Sequence, residues 1–440
     1  MGALRSDRVA HAALASAVAL LAGALVVRMG ELAALLTMSV LGLGVVLLVV
    51  RLCRDPSGDD EAHARLVRWS VAAFLAHLIF GLLVVKSSAL TNYLGPDALT
   101  YHAFARAIVG HWTEGTAMPR LVGGKEGFFY LLAGIYWVFG AHMAGAMACN
   151  AALGACLVPL ATDTTRRLFG PFAARYAAPL MVLLPGLFLW SSQLLKEAPV
   201  LALLALAANC AVRIGERVTF GATVTLVTAV ALLLSFRGPV GLVVGAGLVC
   251  GIVLGRKELV SGLGTALVML GLMAGFVVVG GVGESGYQSS VTSNLAEASV
   301  TRQNLALAAE SGFGADKDTS TSGRALAYLP IGLFSITLGP FPWQGGSARQ
   351  FASLPDVVVW WWLLPVLWRG YVESRRRIGR RAMAVVLPAL TTWTLLALVI
   401  SNYGLVSRER VQVVVLIAPL LALGLASRAE GDTIDAAGVA

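Results

Sequence analysis

Long apolar runs separated by short polar connections fill most of the chain. A helix needs about 20 mainly apolar residues to cross the hydrocarbon core of a bilayer. Runs of about this length predict spans at residues 10–27, 31–50, 69–88, 143–163, 173–192, 198–214, 219–236, 238–254, 259–281, 356–372, 383–400 and 411–427. The pattern therefore predicts an all-α polytopic membrane protein with about 12 transmembrane helices.

Basic residues give this bundle an orientation, because cytoplasmic connections carry an excess of Lys and Arg. The clusters are Arg5 and Arg8; Arg51, Arg54, Arg65 and Arg68; Arg166 and Arg167; Arg213 and Arg217; Arg256 and Lys257; and Arg375, Arg376, Arg377, Arg380 and Arg381. With twelve spans, all these clusters lie on one side. The sequence thus predicts a cell-membrane protein with both termini in the cytoplasm, and two spans more or fewer would satisfy the same rule.

Two long segments then fall on the outer face, residues 89–142 and 282–355. Each contains an apolar stretch (127–140 and 325–338) that is predicted to be an interfacial or re-entrant helix. A Ser-, Thr-, Asn- and Gly-rich stretch at 283–323 predicts a mobile loop. The chain divides into an N-terminal two-helix segment (1–68), a transmembrane module with the first outer loop (69–281), the second outer segment (282–355) and the C-terminal helices (356–440).

Composition supports the membrane class and excludes others. Hydrophobic residues make up 58% of the chain and charged residues only 13%, which no ordinary soluble domain shows. The net charge of +9 collects beside helix ends, so contact with lipid headgroups explains it better than nucleic acid does. The five cysteines form no CxxC or Cys/His pattern, so neither a disulfide framework nor a zinc site is predicted.

Asp97 is the first candidate for chemistry, because it follows a predicted span and opens a polar, aromatic-rich outer segment. One interpretation is a plain helix start, with Pro96 before it and an acidic residue at the first turn. The other is a general base that deprotonates an acceptor hydroxyl or amine. Tyr101, four residues on, shares its helix face and would help to place the acceptor. His102 points elsewhere and ranks lower for the same task.

A series of features follows in order from about 70 to 215: Asp97, Lys125-Glu126-Gly127-Phe128-Phe129-Tyr130, Arg166-Arg167-Leu168-Phe169-Gly170, Leu184-Pro185 and Trp190-Ser191-Ser192-Gln193-Leu194-Leu195-Lys196-Glu197. This order resembles the GT-C superfamily of membrane glycosyltransferases, which take sugars from polyprenyl-phosphate carriers. Two departures stand out: two spans precede the loop-bearing span where the family usually has one, and Ala98 follows Asp97 where a second acidic residue is common.

The C-terminal half resembles uncharacterised bacterial membrane proteins of envelope polysaccharide synthesis. The shared features are Gly339-Pro340-Phe341-Pro342-Trp343 and Asn402-Tyr403-Gly404 with Arg408 and Arg410. The two resemblances together imply a polyprenyl-phosphate-linked sugar as donor, membrane lipids as surroundings, and a glycan, lipid or protein as acceptor.

Lys196 and Glu197 form a charged pair at a predicted membrane boundary, where charges are costly. The pair either marks the helix turn by snorkelling or supplies a second carboxylate that helps to place the acceptor. With Asp97, Glu197 would also suit a divalent metal, Mg²⁺ or Mn²⁺, although nothing in the spacing requires one.

Arg237, Arg408 and Arg410 lie on the predicted outer face, against the overall charge bias. Their planar guanidinium groups suit the donor phosphate, and a cation there would stabilise the phosphate that leaves during sugar transfer. Lys125 and Lys196 are weaker candidates for the same phosphate. Ordinary contact with lipid headgroups would also explain these cations.

The predicted function is transfer of a sugar from a polyprenyl-phosphate donor to an acceptor on the outer face of the membrane. Asp97 would be the general base, and residues 283–323 could close over the acceptor. The alternatives are a transporter or flippase of lipid-linked glycans, a polysaccharide polymerase or ligase, and a noncatalytic assembly subunit. A transporter should show internal repeats and charged or broken helices at mid-membrane depth, and no repeat is obvious.

Overall fold

The computed structural model describes residues 30–55, 58–121, 125–256, 295–309, 311–341, 343 and 353–438. Within these ranges the chain is helical. The helices are α1 (Glu31–Leu52), α2 (Asp60–Lys86), α3 (Ser88–Leu94), α4 (Asp97–Glu114), α5 (Glu126–Phe139), α6 (Met143–Ala155), α7 (Leu157–Leu183), α8 (Pro185–Ser191), α9 (Glu197–Glu216), α10 (Phe220–Phe236), α11 (Gly238–Gly255), α12 (Leu295–Leu307), α13 (Ser322–Leu338), α14 (Leu354–Ile378), α15 (Met383–Val399) and α16 (Tyr403–Gly438).

Seven helical stretches in the described ranges are long and apolar enough to cross a membrane. Two of them, Met143–Leu183 and Leu354–Val399, each join two consecutive helices, and α5 and α10 are shorter apolar helices. The prediction of an all-α, multi-pass membrane protein is confirmed, while the count of twelve spans is not. The predicted spans 10–27 and 259–281 lie outside the described residues.

Helix α7 combines the end of one predicted span with the start of the next. Gly170 breaks it with φ 87° and ψ 176°, and Pro171 follows. A residue with a Cβ rarely adopts such a positive φ, so glycine permits the sharp turn here. The predicted boundary between the fourth and fifth spans therefore coincides with a kink, and the fifth span ends at Leu183 before the short helix α8.

Helices α7, α9 and α16 form the buried centre of the bundle, whereas α1 and α2 expose most of their apolar side chains. An irregular segment, 192–196, lies buried between α8 and α9. Buried backbone needs hydrogen-bond partners where water is absent. The Asn150 side-chain amide supplies them by donating to the carbonyls of Gln193 and Leu195, each at 2.8 Å.

Different groups of charged residues lie at the two ends of the bundle. At one end, Arg166, Arg167 and Arg213 all bond the fully buried carboxylate of Asp163. The other end contains Asp97 and the start of α9 at Glu197. Glu197 and Arg213 are separated by 16 residues of α9, a distance of about 24 Å at 1.5 Å per residue. We call these ends the Asp163 face and the Asp97 face.

The predicted mobile loop differs from the structure over part of its length. Residues 295–307 form α12, and its Arg302 is buried against the Tyr328 ring, 4.4 Å from the ring centroid. The following residues pack on the start of α16, where Phe313 stacks on Tyr403 with 4.4 Å between ring centroids. Buried side chains and stacked rings fix this part of the segment; 283–294 lie outside the described residues.

Candidate functional site

Asp97 opens α4, but its side chain does not cap the helix. The N-cap residue is Pro96, and no side-chain capping bond forms. The Asp97 carboxylate instead accepts a hydrogen bond from Arg408 Nη1 at 2.9 Å, across 311 positions of sequence. Its side chain is 42% exposed. Asp97 is therefore an accessible carboxylate fixed by a distant helix, which suits chemistry better than capping.

Arg408 on α16 joins this carboxylate to a second one. Its Nε donates to Glu197 Oε1 at 2.7 Å, and its guanidinium lies 5.7 Å from the centre of the Trp190 ring. The Glu197 side chain is only 1% exposed. A buried carboxylate needs a charged partner. Arg408 supplies that partner to Glu197 and orients Asp97 at the same time.

Arg237, in the turn between α10 and α11, is a further charged residue beside Arg408 and Glu197. Its Nη2 bonds Glu409 Oε1, and its Nη1 lies 3.9 Å from Glu197 Oε1. Glu409 also accepts a bond from the Gln412 amide. The cluster thus holds three carboxylates (Asp97, Glu197 and Glu409) and the three cationic side chains Lys196, Arg237 and Arg408. We call these six residues the ionic cluster.

Several buried polar atoms at the cluster have no hydrogen-bond partner among the described residues. They are Tyr101 Oη, Glu197 Oε2 and Arg237 Nη1. Tyr101 packs edge-on against Phe128, with 4.8 Å between ring centroids. Burial and the nearby Glu197 carboxylate raise the pKa of Tyr101, so its hydroxyl stays protonated and can donate. Unused donors and acceptors in one place are what a polar ligand would satisfy.

Lys196 lies beside these atoms and is 6% exposed. Burial, assisted by the Arg237 charge, lowers the pKa of Lys196 to about 7, while Glu197 and Glu409 act in the opposite direction. Lys125, at the start of α5, is a further positive charge that acts on Lys196. A lysine with a pKa near neutrality changes charge in the physiological range.

The Arg408 guanidinium bonds one oxygen of Asp97 and one oxygen of Glu197, so an arginine joins the two carboxylates that were predicted to suit a divalent metal. Across the part of the chain that the structure describes, no three His, Cys, Asp or Glu side chains gather in a way that could hold a metal ion.

Two predicted site residues lie elsewhere. His102 Nδ1 is 2.7 Å from Tyr136 Oη, so the side chain joins α4 to α5. Arg410 is buried and bonds Asp356 and the Gly339 carbonyl, at 2.9 and 2.8 Å. Residues two apart on a helix do not share a face. This spacing separates Arg410 from Arg408, so the structure does not bring these two predicted phosphate contacts together.

A large groove leads away from the ionic cluster. Its volume is about 1360 Å³, and its walls, from α1, α5, α6, α7, α9 and α10, are mostly apolar. At the Asp97 face it reaches Phe236 and Pro199, which lie one and two residues from Arg237 and Glu197. Along α10 it runs from Ser235 to Thr219, about 24 Å at 1.5 Å per residue. The groove therefore has nearly the length of a bilayer core.

The arrangement of helices has a counterpart among solved structures. The chain aligns with the crystal structure of ArnT from Cupriavidus metallidurans bound to undecaprenyl phosphate, with a TM-score of 0.52 and 16% identity. The chain therefore shares its overall helix arrangement with ArnT. This confirms the predicted resemblance at the level of fold. The alignment covers 82% of this chain and 59% of the ArnT chain, so the chain spans about three fifths of that protein.

A second solved structure is less similar. The archaeal oligosaccharyltransferase AglB from Archaeoglobus fulgidus, in complex with an inhibitory peptide and a dolichol-phosphate, aligns with a TM-score of 0.47 and 14% identity. That alignment covers 81% of this chain and 50% of AglB. No protein-family model matches the sequence, and no curated protein matches it either.

Sequence reasoning missed Glu409 and Asp356. Glu409 stands between two arginines just before a long apolar run, and Asp356 stands at the start of another. A carboxylate at such a boundary is costly and implies a partner. Both residues carry that signal in the sequence.

Proposed function

We propose that this protein transfers a sugar from a polyprenyl-phosphate donor to an acceptor at the Asp97 face, which we take to be the outer face. The observation that carries this proposal is the ionic cluster at the end of a long apolar groove. A donor of this kind has a charged phosphate at the end of a long apolar chain. The groove suits the chain, and the cationic groups beside it suit the phosphate.

In this proposal Asp97 is the general base. Its carboxylate is accessible, and Arg408 fixes its orientation. An acceptor hydroxyl or amine bound beside Asp97 would lose its proton to the carboxylate as it attacks the sugar. The bond between sugar and phosphate breaks, and the phosphate leaves with its negative charge. The Tyr101 hydroxyl would donate a hydrogen bond to acceptor or sugar.

Arg237, Arg408 and Lys196 are the proposed contacts of the leaving phosphate. Positive groups that are already in place stabilise the developing charge without having to reorganise. Lys125 would add to the positive potential from the start of α5. Arg410 and His102 would act on the site only by holding the helices that carry it, because their own partners are Asp356 and Tyr136.

The test is transfer by purified full-length protein. The protein would be supplied with polyprenyl-phosphate sugars and, separately, with nucleotide sugars. Mass spectrometry of lipid-linked sugars and envelope glycans in a strain lacking the gene would identify the sugar to supply in this assay. Release of polyprenyl phosphate with appearance of a glycosylated product is expected. Movement of an intact lipid-linked glycan across vesicles, without cleavage, would contradict the proposal and favour the flippase.

Donor binding should weaken as pH rises through about 7. The donor phosphate is a diester whose charge does not change in this range, whereas Lys196 loses its proton near a pKa of about 7. Only the protonated ammonium attracts the phosphate, so affinity should fall by up to about tenfold per pH unit above neutrality. Donor binding measured from pH 6 to 8.5 checks this. Lys196→Met should be flat, and an equal slope in that variant would contradict the assignment.

A bulky side chain in the groove should weaken the binding of long-chain donors alone. Leu206 on α9 lines the groove, and Leu206→Trp would obstruct it. We expect about tenfold weaker binding of long-chain donors, in line with a pocket that loses one to two methylene contacts. A short-chain donor that reaches only the ionic cluster should be unaffected. Leu36→Trp, on the exposed face of α1, is the matched control. Equal loss for short and long donors would contradict a chain-binding groove.

A further inference from the structure

Arg237 already pairs with a carboxylate of the same chain, that of Glu409. The Glu409 side chain is 4% exposed, and one of its oxygens bonds Arg237 while the other bonds Gln412. Arg237 is 19% exposed, and its Nη1 has no hydrogen-bond partner among the described residues. One edge of this guanidinium is therefore occupied by a carboxylate, and Nη1, which lies 3.9 Å from Glu197 Oε1, makes no hydrogen bond.

A carboxylate and a phosphate bind a guanidinium in the same way, through paired charge-assisted hydrogen bonds. A phosphate that bonds Arg237 fully must take the position that Glu409 now holds. The ionic cluster is also balanced, with three carboxylates against Lys196, Arg237 and Arg408, so it has little net charge to attract an anion. To displace Glu409, a ligand therefore needs binding energy from contacts other than the charge of its phosphate.

We propose that Glu409 is a specificity-determining residue that competes with the donor phosphate for Arg237. This inference rests on the proposed function and assigns to the same site a means of rejecting other anions. Membranes are full of phospholipid phosphates, which bind exposed arginines at the interface. A phospholipid also has a phosphate that can bind Arg237, but it lacks the one long polyprenyl chain that the groove suits. The polyprenyl donor has both a phosphate for Arg237 and a long chain for the groove, and only the two contacts together displace Glu409.

The internal carboxylate lowers the affinity of both ligands, which leaves the difference between them unchanged but raises the total binding energy that a ligand needs to occupy the site. The weaker ligand is then excluded under conditions where the stronger one still binds. A purely structural role for Glu409 makes the opposite prediction. If it only neutralises a buried arginine, its removal leaves Arg237 badly placed, and every phosphate binds less well.

The experiment compares full-length wild type, Glu409→Gln and Glu373→Gln in phosphatidylcholine nanodiscs. Binding of polyprenyl phosphate is measured, first alone and then with phosphatidylglycerol added. Glu409→Gln should bind the polyprenyl phosphate about tenfold more tightly, the size of one charge-assisted hydrogen bond. Phosphatidylglycerol should compete strongly with it in this variant and weakly in wild type. Glu373 pairs with Arg377 near the far end of α14 and should behave as wild type.

Unchanged or weaker binding by a folded Glu409→Gln protein would overturn the inference. If that variant does not fold, Glu409→Asp, with its charge withdrawn by one methylene, must tighten binding in the same direction by a smaller factor. Failure of wild type to bind polyprenyl phosphate at all would instead remove the proposed function. The two failures are therefore distinguishable.

Discussion

Asp97→Asn should lower the rate of sugar transfer by about 10²- to 10⁴-fold, the usual contribution of a general base. Asparagine has nearly the same shape and can still accept a bond from Arg408, so the helix start and the ionic cluster should remain folded. It cannot take a proton from the acceptor. The loss should therefore appear in kcat. Donor affinity should stay the same or rise, because a negative charge near the phosphate is removed.

The measurement is a steady-state assay of donor cleavage with purified protein at matched concentrations. Asp318→Asn is the control, because Asp318 is a partly exposed carboxylate that pairs with Arg324 outside the ionic cluster. It should retain wild-type kcat. Full activity of the Asp97→Asn protein would contradict the general-base role and return Asp97 to a structural part in the cluster.

The membrane class and most helix positions could be predicted from the sequence, because long apolar runs have few alternatives in a bilayer. The apolar helices at 126–139 and 322–338 also match their predicted positions closely. The kink at Gly170 and the helix at 295–307 are harder to predict from the sequence. Local propensity in a Ser- and Thr-rich stretch favours a loop, and only tertiary packing of Arg302 and Phe313 makes it ordered.

The site was predictable in part. The sequence singled out Asp97, Glu197, Arg237 and Arg408, which the structure brings together from four different helices or turns. It could not give their pairing, because Asp97 and Arg408 are 311 positions apart and no local pattern connects them. The separation of Arg408 from Arg410 and the boundary position of Glu409, by contrast, have local signals in the sequence. Contact across helices depends on the rotation of each helix, which one sequence leaves undetermined.

Arg408→Ala should destabilise the protein by about 3–5 kcal/mol, the cost of leaving a buried charge without its partner. The buried charge is Glu197, which is 1% exposed and bonds Arg408 through Nε. Arg324→Ala is the matched control, since its pair with Asp318 is largely exposed, and it should change stability by less than about 1 kcal/mol. Denaturant unfolding of the detergent-solubilised protein measures both.

A double variant separates lost charge pairing from lost packing. If the cost arises from the unpaired carboxylate, Arg408→Ala combined with Glu197→Gln should recover a large part of the stability, because the buried charge is gone. If the cost arises from the contact of Arg408 with Trp190, the second substitution should recover nothing. Transfer activity should stay low in the double variant in either case, because Asp97 has lost the group that orients it and the phosphate has lost a proposed contact.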